Sequence, residues 1–145
     1  MELVISPYLI AAATGWVVAQ GIKYIVATIK GRKLRNLRQL YLSGSMPSAH
    51  SATVVALLVI IAFKDGMESG LFGLAALFAA VVMYDAVMVR RSSGEQGASL
   101  SELLKSLNSK VRIPRVAKGH TPFEVLGGIL VGLVVGTVVY FATAV

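Results

Sequence analysis

The chain has no cysteine. Disulfides, thiolate metal sites and a cysteine nucleophile are therefore excluded, while the redox compartment stays open. Charge is scarce as well. Asp, Glu, Lys and Arg make up 14% of 145 residues, against about 25% in ordinary soluble domains. Seven carboxylates and two histidines leave little for a dedicated metal cage, so neither a metal nor a cofactor is expected. The net charge is +7, but no aromatics are interleaved with the basic residues as a base-stacking surface requires. Nucleic acid is not an expected partner. What the chain has in excess is apolar side chains, at 56% of residues and a mean hydropathy of +0.75. Its length suits one domain, residues 1–145.

Four apolar segments stand out, at about Pro7–Ile29, Pro47–Phe63, Ser69–Val89 and Phe123–Val145. Most approach the ~20 residues a helix needs to cross a bilayer. The second is short and starts inside the headgroup layer or reaches only partway. The first lacks a basic leader, since Glu2 is the only charge before it, and exceeds a normal signal-peptide core. It reads as a retained span. The expected fold is thus an all-α integral membrane protein with about four transmembrane helices.

The basic residues sort by loop. Lys30, Arg32, Lys33, Arg35 and Arg38 separate the first two segments. Arg90, Arg91, Lys105, Lys110, Arg112, Arg115 and Lys118 separate the last two. Only Lys64 lies in the intervening turn, and Lys23 falls inside the first segment. Positive loops stay cytoplasmic. Both long loops are therefore expected inside, both termini outside, and the location is the plasma membrane. The excess charge suits anionic lipid headgroups.

The second long loop carries Leu100, Leu103, Leu104 and Leu107 at helical spacing. Ser99 and Glu102 have capping-box spacing before that stripe. A short amphipathic helix is expected there, either at the membrane surface over the site or packed on the bundle. The segment Arg32–Leu42 mixes basic and leucine positions and also suits the interface. Gly128, Gly132 and Gly136 recur every four residues in the last segment. They permit close helix packing within the bundle or, alternatively, in a homo-oligomer.

The two histidines sit at the mouths of two apolar runs. His50 follows Pro47, Ser48 and Ala49. Pro suits the first turn of a helix. Ser48 and the amides of Ala49 and His50 would then lie at a helix N-terminus, a natural phosphate cradle. The plain alternative is a helix start with an interfacial histidine. His120 and Glu124 are four apart, so the carboxylate can orient the imidazole. Thr121, Pro122 and Glu124 also read as a capping box, in which Glu124 serves the backbone. Lys23 and Lys30 are two turns apart on one helix face, with Gln20 nearby. Lys23 faces a polar cavity or snorkels to the interface. Asp85, near the end of the third segment and before Arg90 and Arg91, is either a site carboxylate or half of an ion pair between helices.

Pro47-Ser48-Ala49-His50 resembles the Pro-Ser-Gly-His signature of the type 2 phosphatidic acid phosphatases and vanadium haloperoxidases. Three ordered stretches are similar to a small divergent membrane branch of that superfamily. They are Met46–Ala52, Tyr84-Asp85-Ala86 with Val89-Arg90-Arg91, and Gly119–Val125. The resemblance implies metal-independent hydrolysis of a lipid phosphate monoester through a phosphohistidine. In that reading His120 is the nucleophile, Glu124 its orienting carboxylate and His50 the general acid. Lys23, Lys30 and Ser48 contact phosphate, and Asp85 supports the site. Ala49 stands where the wider family has glycine, and Pro114 where it has an arginine. The clamping cation is then one or more of Arg90, Arg91, Arg115 and Lys118. A non-catalytic lipid-phosphate binding or transport protein with the same site is the alternative expectation.

Overall fold

A computed structural model of the chain describes residues 6–29, 46–109, 111–112 and 119–144. Lys30, Arg115, Lys118 and the segment Arg32–Leu42 lie outside the described residues. The described chain is helical. Helix α1 spans Pro7–Ile29, α2 Ala49–Asp65, α3 Gly70–Tyr84, α4 Arg90–Ser106 and α5 Pro122–Ala142. A π-helical turn, Asp85–Val89, joins α3 to α4 without a break.

Helices α2, α3 and α5 start where a small polar side chain accepts a free N–H. Ser48 caps α2 through the amide of Ser51, and Ser69 caps α3 through the amide of Phe72. Ser69 Oγ also donates to the Gly66 carbonyl at 2.8 Å, so one serine closes the α2–α3 turn from both sides. Gly66 ends α2 at φ 84°, a left-handed conformation that favours glycine. Asn108 at φ 49° does the same after α4.

Helix α2 sits at the centre, against α5, α1 and α3. Small residues let the backbones close on it from two sides. A Cβ at Gly15 of α1 would lie 2.9 Å from the Ala52 carbonyl. From α5, a Cβ at Gly132 would lie 2.8 Å from the same oxygen and 2.7 Å from Val55 Cβ. Gly128 and Gly136 meet Ser48 and Ser51, and Ala56 and Val59, in the same way. Among lipid tails as apolar as leucine, such close packing is what drives helices together. The glycine stripe is thus occupied within the chain. Large apolar side chains such as Leu74, Leu77, Val134 and Phe141 stay exposed on the outer faces of α3 and α5. α1, the continuous helix Gly70–Ser106 and α5 are long and apolar enough to cross a membrane. α2, at 17 residues, is about 25 Å long, short of a ~30 Å hydrocarbon core. The protein is an all-α membrane protein.

Two expectations change. Ser99 caps nothing: it lies inside α4, and its hydroxyl donates to the Glu95 carbonyl at 3.1 Å. The helix starts nine residues earlier, at Arg90, because the π-turn hands it an unbroken hydrogen-bond ladder. The leucine stripe is also not packed on the bundle. Leu100, Leu103 and Leu107 remain exposed.

Candidate active site

The chain direction brings four helix ends together: the C-terminal half of α1, the start of α2, the π-turn, and the start of α5. The opposite end is closed by Tyr8, whose hydroxyl donates to Asp65 at 2.7 Å, and by Phe63 stacked on Tyr140 at 4.7 Å. Chemistry-bearing residues gather at the first end.

Lys23 arrives there along the α1 seam. Ala11, Gly15, Ala19 and Lys23 are its buried residues, each one turn apart. Ala19 packs on Ala49 and Ala52 at the start of α2. One turn further, Lys23 therefore lies beside the N-terminus of α2. It is only 5% exposed, so it does not snorkel outward. The reason is positional: it continues a helix–helix seam, not the lipid face. Its charge is felt by Glu124, His50 and His120.

Helix α5 supplies His120 and Glu124, and both readings of Glu124 hold at once. Thr121 N–H donates to Glu124 Oε2 at 2.9 Å, and Glu124 N–H donates to Thr121 Oγ1 at 3.3 Å. This is the capping box. The same Oε2 lies 3.2 Å from His120 Nδ1. An ionised carboxylate only accepts, so Nδ1 carries the proton and Nε2 keeps its lone pair. His120 is 8% exposed. Burial, the largest influence, pushes its pKa below the ordinary value. Glu124 opposes this, and the Lys23 and Arg90 charges add to it. A neutral His120 with a free Nε2 is the nucleophilic form.

The other histidine motif is tied to the first by backbone. Ser48 N–H donates to the Glu124 carbonyl at 2.9 Å. Ser48 is fully buried, and its hydroxyl accepts from Ser51 N–H and Ser51 Oγ. Two of its polar groups thus build the corner. The amides of Ala49 and His50, in the first turn, have no intrahelical partner. The His50 side chain is exposed, and the charges of Arg90, His120, Lys23 and Asp85 reach it.

The π-turn supplies the third wall. His120 N–H donates to the Ala86 carbonyl at 2.9 Å. Gly119 lies so close to Arg91 that a Cβ would stand 2.5 Å from its backbone nitrogen. Arg90 Nε bonds Asp85 Oδ2 at 2.6 Å. The ion pair expected of Asp85 is present, but within one continuous helix and not between two. Arg90 acts on both imidazoles, whereas Arg91 is turned to Glu95 at 3.1 Å on the exposed side of α4. The structure therefore brings together His50, His120, Glu124, Lys23, Asp85 and Arg90, and turns Arg91 away.

Two features escape sequence reasoning, and the state of Gln20 was legible only in part. The Ala86 carbonyl has no side-chain signature, and a π-turn has none in a single sequence. The tight fit of Gly119 depends on a residue 28 positions earlier in the chain. Gln20, one turn before Lys23, has a buried Oε1 without a partner among the described residues. Its polarity within an apolar run was the only signal.

Fold and site together define a small all-α membrane protein with a paired-histidine, cation-lined centre. The chain belongs to the Divergent PAP2 family, whose model matches residues 5–135. It is also similar to the uncharacterized membrane protein YuiD of Bacillus subtilis (strain 168). The two are 34% identical over 97% of this chain and 98% of YuiD. No solved structure matches.

Proposed function

We propose that the protein is a lipid phosphate phosphatase working through a phosphohistidine, with its site on the cytoplasmic face of the plasma membrane. The observation that carries this is His120, buried, held at Nδ1 by Glu124 and grouped with His50, Lys23 and Arg90. Phosphoryl transfer asks mainly for positioning and charge stabilisation. Lys23, Arg90 and the first amides of α2 supply positive charge for the phosphoryl oxygens. His120 Nε2 attacks phosphorus as the bond to the lipid oxygen breaks. A phosphate dianion bound beside His50 favours its protonated form, which gives its proton to that oxygen, and the lipid alcohol leaves. Neutral His50 then takes a proton from water, whose oxygen attacks the phosphohistidine. The P–N bond breaks, releasing phosphate and free His120. The loop charges support the orientation, with both basic loops inside and both termini outside. Membrane lipids are the surrounding partners, and a cytoplasmic site suits newly made lipid phosphates.

One observation favours a second reading, a lipid-phosphate binding or transport protein without turnover. The Ser48 amide and hydroxyl are both engaged in the fold. Its amide donates to the Glu124 carbonyl, and its hydroxyl, expected on phosphate, is fully buried and accepts from Ser51.

The experiment is phosphate release from a panel of lipid phosphates by purified protein in detergent. His120→Ala should abolish it and remove the trapped phosphohistidine. His50→Ala should lower it at least about 100-fold, the usual weight of a general acid. Vanadate should inhibit. Full activity in both variants sinks the mechanism. Lipid binding without turnover, surviving His120→Ala, selects the second reading.

A further inference from the structure

Arg90 comes to the site from a π-turn, and its guanidinium is already engaged. Its backbone N–H donates to the Asp85 carbonyl, five residues back. Its Nε donates to the Asp85 carboxylate at 2.6 Å. In an α-helix, positions five apart are rotated by about 140° and such a side-chain pair is strained. The π-turn reduces that rotation, so backbone and side chain close the same five-residue step.

A guanidinium has five N–H donors in a fixed plane. Asp85 takes the one on Nε, and four remain on the two terminal nitrogens. That edge suits a phosphoryl group, which binds two parallel N–H donors. The same turn holds His120 through the Ala86 carbonyl at 2.9 Å. Arg90 and the candidate nucleophile therefore hang from one rigid turn, four residues apart on its backbone. The side chains of Arg90 and Asp85 are 48% and 37% exposed, so a ligand can reach them. An ion pair this exposed adds little to stability. What it supplies is direction.

We propose that Asp85 is a positioning residue that holds Arg90 by Nε and turns its terminal edge to the phosphoryl group carried at His120. This rests on the phosphatase reading, which supplies the phosphoryl ligand. Arg90 is then the clamp that the position of Pro114 does not provide.

The test is a double-mutant cycle on vanadate inhibition of the purified full chain in detergent. Arg90→Ala should weaken vanadate about 100-fold, the loss of a charge-assisted pair. Asp85→Ala should weaken it about 10-fold, and the double variant no more than Arg90→Ala alone. Asp85→Asn keeps an acceptor for Nε and should retain most of the affinity, which controls for folding. Arg90→Lys should not substitute, because an ammonium cannot hold Asp85 and present a second edge. Losses that add in the double variant overturn the role of Asp85 while leaving the phosphatase reading intact. Wild-type vanadate affinity in Asp85→Ala does the same. A wild-type protein that neither binds vanadate nor releases phosphate overturns both.

Discussion

Gly119→Ala isolates the contact that places His120. The added Cβ would lie 2.5 Å from the Arg91 nitrogen, 2.6 Å from its Cα and 2.7 Å from its Cβ. Ordinary van der Waals contact begins near 3.4 Å, so the loop and α4 must part by about 0.9 Å. The obstructing atoms are mostly backbone in an unbroken helix and cannot swing aside. The loop moves instead, and the bond from His120 N–H to the Ala86 carbonyl, 2.9 Å long, opens. A shift of about 1 Å in a reacting group costs about 100-fold in rate. The strain adds roughly 1–3 kcal/mol of destabilisation. The expected result is a folded protein with phosphate release down about 100-fold. Amide exchange at His120, followed by mass spectrometry, should be faster than in wild type. Gly21→Ala is the control, since nothing lies within 4 Å of its Cβ. Wild-type turnover together with wild-type protection of the His120 amide in Gly119→Ala refutes the reasoning.

Three further outcomes are expected. Because burial lowers the His120 pKa, the acid limb of kcat/KM should fall below its ordinary value of about 6.5. Folded His120 binds a proton less readily than unfolded His120, so its stability contribution is complete above about pH 6.5. It is lost as pH falls from there through the folded pKa, and an acid limb at or above 6.5 contradicts this. Gly132→Ala should lower resistance to unfolding in detergent by about 1–3 kcal/mol, whereas Gly73→Ala, with nothing within 4 Å, should not. Equal behaviour of the two denies the seam. Cysteines at Ser43 and Ser106 should be shielded from an impermeant thiol reagent in intact cells. The chain has no other cysteine, so labelling of either reverses the orientation.

The helices were legible because hydropathy and capping act over short distances. The first apolar segment, Pro7–Ile29, is α1 to the residue, and the Thr121 capping box begins α5 as its spacing predicts. Ser99 and Glu102 carried an equally good capping pattern and failed. A capping box works only where the preceding chain leaves N–H groups free, and the ladder arriving through the π-turn leaves none. Lys23 was ambiguous for a different reason. Hydropathy places it within a span, but only the packing of Ala19 on Ala49 shows that it continues a seam.

The sequence alone determined the medium and the chemical vocabulary: apolar helices for a membrane, two histidines at helix mouths, and cations in the loops with Lys23 alone inside an apolar run. These depend on composition and near-neighbour spacing, which a chain carries before it folds. Tertiary structure decided which groups meet. It set His120 against Ala86, Ser48 against Glu124 and Lys23 beside the start of α2. It also chose Arg90 over Arg91, since one extra residue in a helical turn changes which side chain faces the site. That choice depends on the backbone register of a turn, and residue type does not encode it.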